Sequence, residues 1–398
     1  MTKLSTLLLS AAALCGVTVA QAQDKATLDL LVKKGLITQA EADELTAAAA
    51  KKPEVTTKDT LTRKITVGGL VQARASYIHE SVDGADPVDQ AKFTVRRAIL
   101  TFTADLGKGW GACVSPELDA SRNGVWLDKA VVTNTSEHGV FNAGLRKVNF
   151  GREEYVSAAT ELLPVERSVV TRALAGTRFA SYHTGVYWDG KVKDSGLIYG
   201  AALTNAATDF NTANTNDVAA WANVGYIATI EKDVKVTTGM NLGCAGTMNN
   251  TFAGTTMVDN YGNVFGYNPY VTLNAGKLTV TGEILGLVAN GKSGREDATP
   301  FGYNLTAAFR ATDELEPVVR LSQLKGDVDM ASTATAVVDE PAAGGWEDAW
   351  SLYAGANYYI MDNNLKLQGG YEFSQLTGGT VASKLDAHAV RVQIQAMF

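Results

Sequence analysis

Arginines and lysines recur at alternate positions of short patterned segments, and this placement is the strongest chemical signal in the chain. Face assignment puts Arg74, Arg97, Arg146, Lys235, Arg310, Arg320, Lys366 and Arg391 on the polar side of those segments. The acids Glu117, Asp119, Glu283 and Glu372 share that side. Fixed cations along a water-filled passage do electrostatic work: charge-assisted contacts draw anions in, and weak sites in series let them leave. Bond-making chemistry has little to use. His79, His138, His183 and His388 lie at no metal-ligand spacing with another His or Cys. No G-x-S-x-G, H-E-x-x-H, Walker or dinucleotide fingerprint is present. The expectation is a non-enzyme without metal or cofactor. A hydrolase would need a Ser/His pair on neighbouring strands.

A second group of charges sits in the longest connection, Phe150 to Arg178. Its Leu162, Leu163, Val165, Val169 and Val170 are too apolar for a loop in water. The expectation is that it folds inward and narrows a lumen, with Arg152, Glu153, Glu154, Glu161, Glu166, Arg167 and Arg172 lining the constriction. The alternative is packing on a neighbouring subunit.

The elements that must position these groups read as strands. Sixteen candidates begin near Ile65, Phe93, Trp110, Val125, Val140, Tyr182, Leu197, Trp221, Val234, Tyr267, Leu278, Pro300, Glu316, Trp350, Leu365 and Ala389. Their spacers alternate between short turns, such as Gly107–Gly109 and Asp362–Asn364, and mostly longer loops, such as His79–Ala91 and Gly326–Gly345. An even strand count with loops sorted by length is the signature of an outer-membrane barrel. The last strand carries Val390, Val392, Ile394, Ala396 and Phe398 on one face and Arg391, Gln393 and Gln395 on the other. A strand apolar on one side and charged on the other fits lipid outside and water inside. Phe398 is then expected outward at the periplasmic interface, on the strand that closes the barrel. All six tryptophans, Trp110, Trp126, Trp188, Trp221, Trp346 and Trp350, fall near strand ends, where an aromatic girdle belongs.

The bulk properties agree. Of the 398 residues, no run of eighteen apolar ones lies outside the N-terminus, which argues against a helical membrane protein. The formal net charge of −7 gives no pointer to nucleic acid. Residues 1–22 read as a secretory signal with an "AQA" cleavage site, and residues 23–62 as a periplasmic helical segment with a Thr38/Glu41 capping box. Residues 63–398 form the barrel, an all-β transmembrane antiparallel fold of about sixteen strands. The remaining Cys113 and Cys244 make no disulfide framework.

At this point the residues resemble the bacterial phosphate-selective porin O/P family. "FTVRRAIL" (Phe93 to Leu100), "PELDA" (Pro116 to Ala120), "WLDKAVV" (Trp126 to Val132), "AGLRKVNFG" (Ala143 to Gly151) and "VERS" (Val165 to Ser168) look like family segments in family order. The resemblance implies a commonly trimeric sixteen-stranded outer-membrane barrel with an inward third loop and basic residues that guide anions. It marks Arg96, Arg97 and Lys147 as matching basic positions, while Arg146 and Val148 replace the usual aromatic and acidic residues around Lys147. Arg96 and Arg97 are consecutive, so on a regular strand only one faces the lumen. The expected function is passive diffusion of small hydrophilic solutes with a mild anion preference. The constriction would be lined by Arg97, Arg146, Lys147 and Arg167, with Arg74, Arg152, Glu154, Arg310, Arg320 and Arg391 along the path. Outer-membrane lipid, small anions and two further copies are the expected partners. The alternative is a structural or adhesive barrel with a plugged lumen.

Overall fold

In lipid every backbone amide must find a partner, so a chain that crosses with strands has to close them into a ring. The computed structural model shows such a ring. It describes residues 32–34, 38–40, 54–55, 64–119, 124–176, 179–206, 218–246, 251–252, 255–256, 261–291, 296–326, 346–379 and 382–398. The chain divides into a unit over Met1–Thr56 and a barrel unit over Thr57–Phe398. The signal segment and most of the expected N-terminal helical segment lie outside the described residues.

Sixteen strands build the barrel: β1 (Lys64–Val82), β2 (Val88–Gly107), β3 (Trp110–Asp119), β4 (Gly124–Ser136), β5 (Gly139–Lys147), β6 (Tyr182–Lys191), β7 (Leu197–Asn205) and β8 (Val218–Glu231) make the first half. β9 (Val234–Ala245), β10 (Tyr261–Ala275), β11 (Leu278–Gly291), β12 (Phe301–Phe309), β13 (Leu315–Lys325), β14 (Asp348–Met361), β15 (Leu365–Thr377) and β16 (Lys384–Met397) make the second. Each pairs antiparallel with its neighbours in sequence, and β16 pairs with β1 from Met397↔Leu70 to Leu385↔Val82. Two short helices, α1 (Arg152–Tyr155) and α2 (Val169–Gly176), lie in the connection between β5 and β6.

Burial is inverted relative to a soluble barrel. Val392 is 52% exposed and Ile394 46%, while the neighbouring Arg391 and Gln393 are 2% and 1% exposed. The apolar positions form the outer belt and the polar positions turn inward, as alternation across a pleated strand requires. The tight turns need unusual backbone at a few positions. At the β2–β3 turn, Gly107, Lys108 and Gly109 all have positive φ. A Cβ on Gly109 would stand 2.4 Å from the Thr135 carbonyl oxygen, so glycine is required there.

Three expectations change. The connection expected over His79–Ala91 is an extended hairpin, paired out to Glu80↔Val88. Outside the apolar belt the outward positions become polar, as at His79 and Asp89, so apolar alternation fades although pairing continues. Trp221 and Trp346 are 5% and 1% exposed and belong to an interior cluster, not to a girdle. Trp221 packs its ring 4.8 Å from Phe179 at the base of the β5–β6 connection, an internal partner that terminal position alone cannot reveal. The third change concerns Arg96 and Arg97. Gln72 faces Arg97 while Ala73 faces Val95, so Arg96 is the extra residue of a β-bulge in β2. Both arginines therefore reach the lumen. Cys113 and Cys244 are free thiols.

Candidate functional site: a charged constriction

The β5–β6 connection folds into the barrel because its apolar residues need cover. Leu162, Val165, Val169 and Val170 are buried. Both ends are stapled by aromatic packing: Phe150 and Phe179 meet edge to face at 5.2 Å, and both contact Trp221 of β8. Gly266 of β10 makes room, since a Cβ there would lie 2.3 Å from the Phe179 ring. Inside, polar wall groups grip the loop backbone. Arg74 Nη2 donates to the Val165 carbonyl at 2.9 Å, and Lys366 Nζ and Gln395 Nε2 donate to the Ala159 carbonyl at 2.8 and 3.0 Å. The first amides of α1 donate to the wall. Arg152 N reaches Glu283 Oε2 at 2.7 Å, and Glu153 N reaches Glu283 Oε1 at 3.1 Å.

Ion pairs complete the attachment. Glu166 Oε2 stands 2.8 Å from both Arg74 Nη1 and Arg96 Nε. Arg97, on the same wall, donates to Gln72 Oε1 at 2.8 Å. Arg320 Nη1 reaches Glu153 Oε1 at 2.9 Å and its Nη2 reaches Glu372 Oε1 at 2.8 Å, while Arg391 Nη1 holds Glu372 Oε2 at 3.0 Å. Glu154 joins Lys147 Nζ at 2.7 Å to Arg167 Nε at 3.1 Å. Burial alone would disfavour the Glu166 anion. The guanidiniums of Arg96, Arg74, Arg97 and Arg172 outweigh it and hold the carboxyl well below the usual carboxylate range. Glu154 is likewise held low, by Lys147 and Arg167 against its own burial.

The remaining expected residues have other partners. Arg146 is paired with Asp189 and stacks 4.5 Å over the Tyr187 ring. Arg152 pairs with Glu161 at 2.9 Å within the loop. Arg310 sits beyond β12 at a short turn, donating to the Asp313 carbonyl at 2.7 Å and lying 3.7 Å over the Tyr359 ring. Lys235 of β9 is exposed. The structure thus brings Arg74, Arg97, Arg320, Arg391, Lys147, Arg167 and Glu154 together around the loop, and leaves Arg146 and Arg310 apart. Glu166, expected among the loop charges, stands at the centre, and Arg96, which the family resemblance marked, joins it there. The sequence shows Arg96 as one of a doublet of arginines, and the inward turn of both depends on the bulge. Chemically the assembly is a fixed charge lattice in which bases outnumber acids on the β1–β2 wall.

A profile of the family described as "Phosphate-selective porin O and P" matches residues 71–398. No curated protein matches the chain in sequence. Among solved structures, the outer membrane channel DcaP of Acinetobacter baumannii superposes with a TM-score of 0.58 at 13% identity, covering 86% of this chain and 99% of its own. A trimer form of Vibrio cholerae OmpT, an outer membrane protein, gives 0.53 at 13% identity, with 84% and 99% coverage. Salmonella typhi OmpF, in complex with daunomycin, gives 0.54 at 14% identity, with 86% and 100% coverage. At such identities the likeness is one of fold.

Proposed function

This chain belongs to the phosphate-selective porin O and P family and is an outer-membrane β-barrel channel for solute diffusion, and from that premise we propose that it passes small hydrophilic solutes with a mild preference for anions. The observation that carries the preference is the β1–β2 wall, where Arg74, Arg96 and Arg97 surround the single loop carboxylate of Glu166. Glu166, with Glu117 also near Arg97, faces the guanidiniums of Arg74, Arg96, Arg97 and Arg172. That excess of base leaves a positive local field, and selectivity follows the charges at the constriction and not the net charge. The mildness has a source as well. Arg320, Arg391, Arg167 and Lys147 are each tied to carboxylates, and a paired cation attracts a passing anion less than a bare one. We further propose that the channel is a homotrimer, as OmpT is in one of its solved forms, and that the N-terminal segment lies in the periplasm.

Reversal potential of the refolded protein in a planar bilayer under a salt gradient tests the reading. A small shift toward the anion's equilibrium potential supports it. A shift toward the cation's removes the anion preference. A folded barrel that passes no current removes the channel and favours the plugged structural barrel.

A further inference from the structure

Loop and wall line a half-open cavity of about 340 Å³ on the short-turn side of the constriction. Its wall is a ladder of hydroxyls: Thr272 faces Thr281 across β10 and β11, and Thr281 faces Thr306 across β11 and β12. The Thr272 and Thr281 hydroxyl oxygens are 3.2 Å apart. Glu316 of β13 stands beside the ladder and is 8% exposed. Both hydrogen bonds it accepts, from Asn357 Nδ2 at 3.0 Å and the Tyr359 hydroxyl at 2.6 Å, arrive on Oε2. Oε1 is the oxygen left for a solute. Opposite, Leu162, Leu163 and Pro164 of the loop supply an apolar floor.

The charges around the cavity argue against an ionic occupant. Glu153, Glu161, Glu283 and Glu316 line it, with Arg152 as the lining cation. An anion would meet carboxylates at short range. A cation would find most of them committed: Glu153 to Arg320, Glu161 to Arg152, and Glu283 to the amides of α1. Arg310 and Lys366 also stand over the Tyr359 ring, at 3.7 and 5.7 Å from its centroid. What remains is a ladder of threonine hydroxyls and the Glu316 Oε1 acceptor beside an apolar surface. That combination suits a molecule with many hydroxyls on one edge and C–H groups on the other.

We propose that this cavity is a subsite for a neutral polyhydroxylated solute of monosaccharide size. Its volume falls in the range of small-molecule pockets, roughly 300–1,000 Å³. The proposal rests on the diffusion-channel reading for its physiological sense, but the cavity can be tested without conduction. The test is equilibrium dialysis of radiolabelled glucose against the refolded full chain in detergent, with inorganic phosphate as competitor, and bilayer conductance recorded separately. Saturable glucose binding that phosphate does not displace is expected. The double variant Thr281→Val/Thr306→Val, checked for folding by heat-modifiable mobility, should weaken binding at least about five-fold through the lost hydroxyls. Glu316→Gln, the second variant, should weaken it as well. Absence of saturable binding to the folded wild type, displacement by phosphate, or full affinity in both variants overturns the subsite. A chain that binds glucose and passes no current loses the channel reading and keeps the subsite. One that conducts and does not bind loses the subsite alone.

Discussion

Phe398 lays its ring over Gly69 across the seam of the barrel. The two residues exchange backbone hydrogen bonds, Gly69 N to Phe398 O at 2.9 Å and Phe398 N to Gly69 O at 3.1 Å. A Cβ built on Gly69 would lie 2.3 Å from the ring Cζ. The glycine is thus the seat on which the aromatic residue closes β16 onto β1.

Gly69→Val should displace that ring, and because Phe398 is 56% exposed and can swing aside, the seam should weaken by about 1 kcal/mol, the low end of overpacking. Heat-modifiable electrophoretic mobility reads the effect as a lower temperature of barrel opening. An unchanged temperature would show that the ring contributes nothing to closure.

Glu166 is the keystone of the loop attachment. Its pair with Arg74 is almost fully buried, and breaking a buried pair on one side typically costs about 3–5 kcal/mol. Glu166→Gln should therefore lower the urea midpoint of unfolding. It also removes a negative charge from the constriction, so the reversal potential should move further toward the anion. A shift toward the cation would mean that the β1–β2 wall does not set selectivity.

The same carboxylate sets a pH dependence. Glu166 and Glu154 both titrate below their ordinary value of 4.5 in the folded chain. A depressed folded-state pKa contributes stability that is complete above the unfolded value and disappears as pH falls through the folded one. The share of loop attachment carried by Glu166 and Glu154 should therefore be independent of pH from neutrality down to about 4.5 and weaken only in stronger acid. The stability difference between wild type and Glu166→Gln, measured by urea unfolding across that range, checks this: it should stay constant down to about pH 4.5 and shrink below it, and a difference that shrinks between pH 5 and 7 would contradict it.

The bulge in β2 predicts that Arg96 faces water. In a chain with Cys113→Ser and Cys244→Ser, Arg96→Cys should react with a charged, membrane-impermeant thiol reagent and alter the current. Protection of that thiol in the folded barrel would place position 96 on the lipid side and remove the bulge from the account.

The barrel itself was legible because lipid acts on each residue separately. Val390 and Val392 must face it and Arg391 and Gln393 must not, so the membrane writes a period of two into the sequence, strand after strand. The inward fold of the β5–β6 connection was legible for a related reason: Val165, Val169 and Val170 need cover wherever they go. Partners could not be read in this way. Arg74 meets Gln393 and Glu166 only because closure sets β16 beside β1 and brings the loop across the lumen. The second inward arginine came from a one-residue mismatch between β1 and β2, a property of two strands in register that neither carries alone. Trp221 could be placed at a strand end, but its inward turn depends on Phe150 and Phe179 arriving from a distant stretch of chain. Periodicity, a local response to solvent, fixed the architecture. The pairing of charges depends on distances between remote segments, and only the closed ring defined those.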